Sequence, residues 1–137
     1  MGTYCPSQPS LCATKDVTYL AFLGSRKGED PSEPLLTCEA VLAEAAFHLG
    51  SSAYVFDLVR NEMLRVAFDC SRNLEPLADL ARRYENRRPD LADLCVIRMS
   101  ELYPRYLVIT VDESDFRVYR RNKREVIPLL CPPSRRV

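Results

Sequence analysis

A single histidine, His48, and six cysteines with no C-x-x-C pair leave this 137-residue chain without the ligand spacing of a structural zinc site. The same scarcity weighs against a hydrolase triad, because any serine or cysteine nucleophile would have to share that one histidine as its base. His48 falls four residues after Glu44 on one helical face, and a partly buried ring with a local hydrogen bond is its expected role. Nor is there a glycine-rich phosphate loop. The stretch Gly24, Ser25, Arg26, Lys27, Gly28 has neither the spacing nor the lysine-hydroxyl pair of a P-loop. No apolar run approaches the roughly 18 residues needed to span a bilayer, so no membrane partner is expected. Internal repeats and low-complexity tracts are missing as well.

Net charge is also lacking, since nineteen lysines and arginines balance nineteen acids. The distribution carries more information than the sum. Basic residues crowd into Arg82, Arg83, Arg87 and Arg88, and again into Arg117, Arg120, Arg121, Lys123 and Arg124, while the acids are spread along the chain. Either run can be a solvated face, and the second can contact phosphates. Cys38 and Cys95 fall inside apolar-periodic segments, where a free cysteine behaves as a small hydrophobe. With no secretory signal ahead of them, a reducing, cytoplasmic setting is expected.

What is present is a chain of one-domain size with 47% hydrophobic and 28% charged residues, the composition of a folded globular domain. Residues 1–33 are atypical and hold three of the four glycines, with little periodicity outside Val17 to Leu23. They are read as an irregular first strand and helix, with the core running over 34–137. Leu35 to Thr37 predicts a strand end with Thr37 as N-cap, followed by a helix over 38–49 that Gly50 terminates. Ser51 or Ser52 caps a second, short helix. Leu64, Val66 and Phe68 alternate as a strand does, and Leu74, Leu77, Ala78, Ala81 and Tyr84 recur at helical spacing over 74–86. Asp90 is placed to cap a helix over 90–103. Tyr106 to Thr110 is a continuous apolar run of the kind a strand buried on both faces shows, and Val126 to Leu130 suggests a last strand. Alternating strands and helices imply a three-layer α/β/α domain around a parallel sheet of four or five strands, with its site beyond the strands' carboxyl ends.

Four acids fall where such a fold gathers them: Glu44 within a helix, Asp93 near the start of another, and Asp112 and Asp115 just past the buried strand. Carboxylates sharing one cleft repel each other until a hard cation such as Mg²⁺ or Mn²⁺ joins them. That cation lowers the pKa of a bound water and neutralises charge on a phosphodiester, which points to hydrolysis at phosphorus. Each acid also has a plainer role. Asp93 lies three residues after Asp90, where it supports a helix start; Glu44 can be an exposed helical residue, and Asp112 and Asp115 can shape a turn.

At these residues the chain resembles the PIN-domain family, and its VapC-type toxin ribonucleases in particular. Pro34 to Glu44 (PLLTCEAVLAE), Pro89 to Cys95 (PDLADLC) and Leu107 to Phe116 (LVITVDESDF) carry the likeness, with Tyr119, Arg120 and Arg121 trailing it. The resemblance implies a parallel sheet flanked by helices, bound Mg²⁺ or Mn²⁺, endonucleolytic cleavage of RNA, homodimerisation, and inhibition by a small antitoxin protein. It implies Glu44, Asp93, Asp112 and Asp115 as catalytic acids, Asp16, Glu44, Asp93 and Asp112 as metal ligands, and Thr110 in a supporting role. Arg117, Arg120, Arg121, Lys123 and Arg124 are the corresponding RNA contacts. The front of the chain departs from the family pattern. Asp16 stands after a poor strand, and if Val17 to Leu23 is itself the central strand, Glu29 or Asp30 follows it and no close equivalent of the first acid remains. The alternative expectation is therefore a catalytically impaired PIN-fold module that binds RNA or an antitoxin-like partner without cutting.

Overall fold

The computed structural model describes residues 21–25, 33–110 and 113–130. A five-stranded sheet frames the fold. Its centre is β1 (Ala21–Ser25), flanked by β2 (Leu35–Thr37) and β4 (Tyr106–Thr110). The edges are β3 (Leu64–Val66) and β7 (Leu129–Leu130). Strand β1 is antiparallel to both neighbours, with Leu23 opposite Leu36 on one side and Ala21 opposite Thr110 on the other. β2 pairs with β3, and β4 with β7, in parallel. The sheet is therefore mixed, which corrects the expectation of a wholly parallel one: the middle strand runs against the other four. An apolar run identifies a buried strand whatever its direction, because strands of either sense bury the same residues.

β1 also places part of the atypical N-terminal stretch at the heart of the sheet. The strands approach closely at Gly24, where a Cβ would sit 2.5 Å from Ile109 Cδ1 and 3.1 Å from Leu35 Cδ2, so those side-chain ends would have to shift to admit a larger residue. Leu23 and Val108, partners across this ladder, are fully buried.

The helices are α1 (Glu39–Leu49), α2 (Ser52–Arg60), α3 (Leu74–Arg83), α4 (Leu91–Leu102) and the short α5 (Glu113–Val118). α4 is the organising element, packed against β1, β4, α1 and α3. Seven of its twelve residues are buried, so its apolar surface extends well around the cylinder, as suits a helix covered on several sides. None of the described helices is long and apolar enough to cross a membrane.

The helix ends follow local chemistry. Gly50 closes α1 at φ 73°, a left-handed position open to glycine without steric cost. Thr37 was the expected cap of α1, but it completes β2, and Cys38 occupies the N-cap position without a side-chain cap bond. Ser51 caps α2 by accepting from the Tyr54 amide at 3.0 Å. Ser51→Ala is expected to lower stability by about 1 kcal/mol, measurable as a shift in the urea midpoint with unchanged slope. Leu74, expected in the core by its spacing, is 63% exposed; Leu77 and Leu80 supply the buried face of α3 instead.

The basic segment forms a hairpin of β5 (Arg120–Arg121) and β6 (Glu125–Val126), its turn carrying positive φ at Asn122 and Lys123. The last expected strand is thus divided. Val126 stays with the hairpin, while Leu129 and Leu130 join the main sheet beyond Pro128, whose carbonyl accepts from the Val108 amide at 2.9 Å. Proline has no amide to donate, so the ladder changes at that point. Tyr119 and Phe116 anchor the segment from beneath. Both are 1% exposed, and the Tyr119 ring meets Tyr84 and Phe116 edge to face at 5.0 and 5.3 Å.

Candidate functional site

Two acids distant in sequence meet where α1 passes the start of α4. Glu44 lies in the middle of α1 beside fully buried Ala45, so its half-buried carboxyl is held near the core rather than free in solvent. α4 begins with Asp90, whose Oδ1 accepts from the Asp93 amide at 2.9 Å, a side-chain cap that satisfies one of the unpaired amides at a helix start. Burial, hydrogen bonding to Asp90, and the charges of Asp90, Asp93 and Cys38 together push Glu44 up to about 7 from an ordinary 4.5. The protonated form is thereby favoured, and two facing carboxyl groups can share a hydrogen bond only when one of them holds a proton.

Of the acids singled out from sequence, Glu44 and Asp93 come within electrostatic reach of each other. Asp90, read from sequence only as a cap, is the residue that joins them. Its signal was available in the i,i+3 spacing of Asp90 and Asp93, two carboxylates on one turn at a helix start. Asp16 and Asp112 lie outside the described residues, as do Glu29 and Asp30, and the Asp115 side chain lies outside them too, although its backbone belongs to α5. Thr110 ends β4 with its side chain buried. Among the described residues, no group of three or more acids, cysteines or histidines is arranged to hold a metal ion. In donor chemistry Glu44, Asp90 and Asp93 suit a hard divalent cation, being oxygen-only and mutually repulsive. The ring of His48 stands edge-on to Phe47, 5.4 Å between centroids.

The basic run divides on inspection of its side chains. Arg121 is 6% exposed and donates to the Ser100 carbonyl at 2.9 Å and towards that of Pro104 at 3.4 Å, so it holds the hairpin to the end of α4. It is a structural arginine, which corrects its assignment as a phosphate contact. Arg120 turns its guanidinium onto the carbonyls of Arg117, Val118 and Tyr119 at the end of α5. Arg117, Lys123 and Arg124 are exposed. Glu101 secures the hairpin further by accepting from the Asn122 amide at 2.7 Å and from Arg98 at 2.8 Å. The hairpin therefore docks at the C-terminal end of α4 and the carboxyl pair at its N-terminal end. Ten residues separate Asp90 from Ser100, about 15 Å at 1.5 Å per residue. Lys123 and Arg124 of the hairpin thus lie away from the Glu44–Asp90 pair, while Asp112 and the Asp115 side chain are outside the described residues.

A separate apolar groove of about 260 Å³ lies between α1 and α2, lined by Leu42, Ala43, Ala46, Val55 and Phe56 with Glu39 and Ser52 at its margin. Phe56 is 62% exposed, and Phe47 on α1 is 82% exposed. The chain matches no protein-family model, no curated protein and no solved structure.

Proposed function

We propose that this chain is a PIN-like, metal-dependent endoribonuclease acting as the toxin of a toxin-antitoxin pair. The observation that carries the reading is the pairing of Glu44 with Asp90 beside Asp93: a carboxyl pushed up to about 7 by burial and by the acids facing it is the electrostatic condition that a divalent cation relieves. In this reading Glu44, Asp90 and Asp93 hold part of the coordination of Mg²⁺ or Mn²⁺, and Asp112, Asp115 and Asp16 supply the rest. The bound cation would activate a water and offset charge at the scissile phosphate. Without the cation Glu44 is held protonated toward neutrality, and binding of the cation would displace that proton and leave the carboxylate as a ligand. Asp90 holds α4 in register through its cap and so fixes where Asp93 stands.

Arg117, Lys123 and Arg124, all exposed, would contact phosphates of the bound strand. Raising salt from 50 to 200 mM is then expected to weaken RNA binding several-fold, through counterion release at two or three contacts. Fluorescence anisotropy with a labelled single-stranded RNA measures the slope, and Arg117→Ala should reduce it by about one contact. The groove between α1 and α2, with Phe47 and Phe56 exposed beside it, supports a proteinaceous partner, the antitoxin or a second copy in a homodimer. A reducing, cytoplasmic location belongs to the same reading and accords with free Cys38, Cys70 and Cys95.

Incubating the purified chain with a single-stranded RNA in Mg²⁺ or Mn²⁺, and with chelator alongside, tests the proposal. Chelator-sensitive internal cleavage is the expected result. One observation favours a second reading, the catalytically impaired binding module: the antiparallel course of β1 departs from the parallel sheet that the resemblance implies. Tight RNA binding with no cleavage under any divalent cation would select it.

A further inference from the structure

Two arginine-rich segments, far apart in sequence, are stitched together at Tyr84. This residue is the C-cap of α3, and its hydroxyl accepts from the Arg120 amide at 2.8 Å. Its ring meets Tyr119 edge to face at 5.0 Å and carries the Arg83 guanidinium over its face, 5.8 Å from the centroid. A 3-10 turn, Glu85–Arg87, follows directly, its Arg87 amide bonded to the Tyr84 carbonyl at 2.8 Å. Arg82, Arg83, Arg87 and Arg88 are all exposed. The basic run after α3 therefore borders the segment that carries Arg117, Lys123 and Arg124. In the other direction it leads into the carboxyl pair: Arg88 stands two residues ahead of Asp90, at most about 7.6 Å between Cα atoms.

Charge balance sets this surface apart from other exposed arginines of the molecule. Arg60, Arg72 and Arg82 each pair with an aspartate three residues earlier, Asp57, Asp69 and Asp79, at 3.2, 3.5 and 2.8 Å. Among the described residues no carboxylate pairs with Arg83, Arg87 or Arg88. Residues 82–88 hold four arginines against one acid, Glu85. Core packing does not require these side chains, which lie in solvent, and like charges crowded on one turn repel until an anion comes between them. The planar forks of arginine match phosphate oxygens two at a time.

We propose that Arg83, Arg87 and Arg88 form a phosphate track for single-stranded RNA, continuing the surface of Arg117, Lys123 and Arg124 across Tyr84 to the start of α4. The choice of ligand rests on the ribonuclease reading, in which the strand has to reach the acids beside Asp90. The hairpin, held at the other end of α4, leaves that interval uncovered, and the arginines between Tyr84 and Asp90 fill it. Contacts of this kind position a strand without reading its sequence. Each phosphate neutralised on a single strand adds about 0.7 to the slope of log affinity against log salt. Arg117, Lys123 and Arg124 alone give a slope of about 2, and the extended track gives about 4.

Fluorescence anisotropy of the full chain with a labelled single-stranded RNA, in chelator so that no cleavage intervenes, tests the track. The parent slope should be about 4, and Arg87→Gln/Arg88→Gln should lower it by about 1.4 and weaken binding about tenfold or more at 0.1 M salt. Arg60→Gln/Arg72→Gln removes the same net charge from arginines paired elsewhere and should leave the slope unchanged. Circular dichroism establishes that each variant is folded; if the first double variant is not, Arg83→Gln carries the test with a fall of about 0.7. The track is overturned if the two double variants bind alike, if the parent slope stays near 2, or if poly-aspartate displaces the RNA as readily as poly-uridylate of equal charge, which assigns the surface to acidic polypeptides. RNA held through these arginines but never cut with Mg²⁺ or Mn²⁺ leaves the track standing and counts against the nuclease reading alone.

Discussion

Asp93→Asn should remove at least about 100-fold of the Mg²⁺- or Mn²⁺-dependent RNA cleavage, since loss of even an outer-shell metal partner costs roughly 10–100-fold. That corresponds to about 2.7 kcal/mol of barrier. The substitution isolates charge from structure. Asp90 caps α4 through the backbone amide of Asp93, and asparagine keeps that amide, so the helix start survives. The favourable contact of a carboxylate with the helix dipole is lost, about 0.3–1 kcal/mol, and the repulsion between Asp93 and Glu44 is relieved. A fall in cleavage with a melting temperature within a few degrees of the parent is therefore the expected pair of readings. Asp57→Asn, at an exposed residue bonded to Arg60, serves as the control and should cleave as before. Equal residual cleavage in Asp93→Asn and the parent would trace the activity to another source and end the nuclease proposal.

Glu44 gives the second large effect, a stability that declines with pH in the metal-free chain. Its folded pKa is about 7 and its ordinary value 4.5, so between those limits the folded state retains a proton that the unfolded chain has released. The contribution is complete below pH 4.5 and is lost as pH rises through about 7. The shift alone corresponds to about 3 kcal/mol, and screening of a partly solvated carboxyl reduces this to about 1–2 kcal/mol. Urea unfolding at pH 5 and pH 8 in chelator measures the difference. Glu44→Gln should erase this component, and Asp90→Asn should shrink it, because asparagine keeps the cap acceptor but removes the facing charge. An unchanged pH slope in Glu44→Gln would show that the carboxyl pair does not govern it. Mn²⁺ should act in the opposite sense, binding better as pH rises and displacing the shared proton.

The parts of this architecture legible in sequence are those fixed by local chemistry. The strand Tyr106–Thr110 stood out as an apolar run and the helix after Asp90 as a capped periodic segment, and both are present at the expected positions. Gly50 and Ser51 mark a helix end and a helix start because left-handed backbone and amide capping select few residue types. Strand direction was not legible, since side chains alternate along a strand whichever way it runs. The pairing of Glu44 with Asp90 was half legible. Periodicity puts each acid on its helix, but the crossing of α1 and α4 decides which carboxyls touch. The Arg121 error has the same origin: its neighbours in sequence are exposed cations, and only the docking of the hairpin on α4 buries it.

Mounting the basic hairpin at the far end of α4 sets its exposed Lys123 and Arg124 apart from Glu44 and Asp90. A spacing of about 15 Å along the helix exceeds the Debye length of about 10 Å at 0.1 M salt, so an anion drawn to the hairpin meets little repulsion from that carboxyl pair.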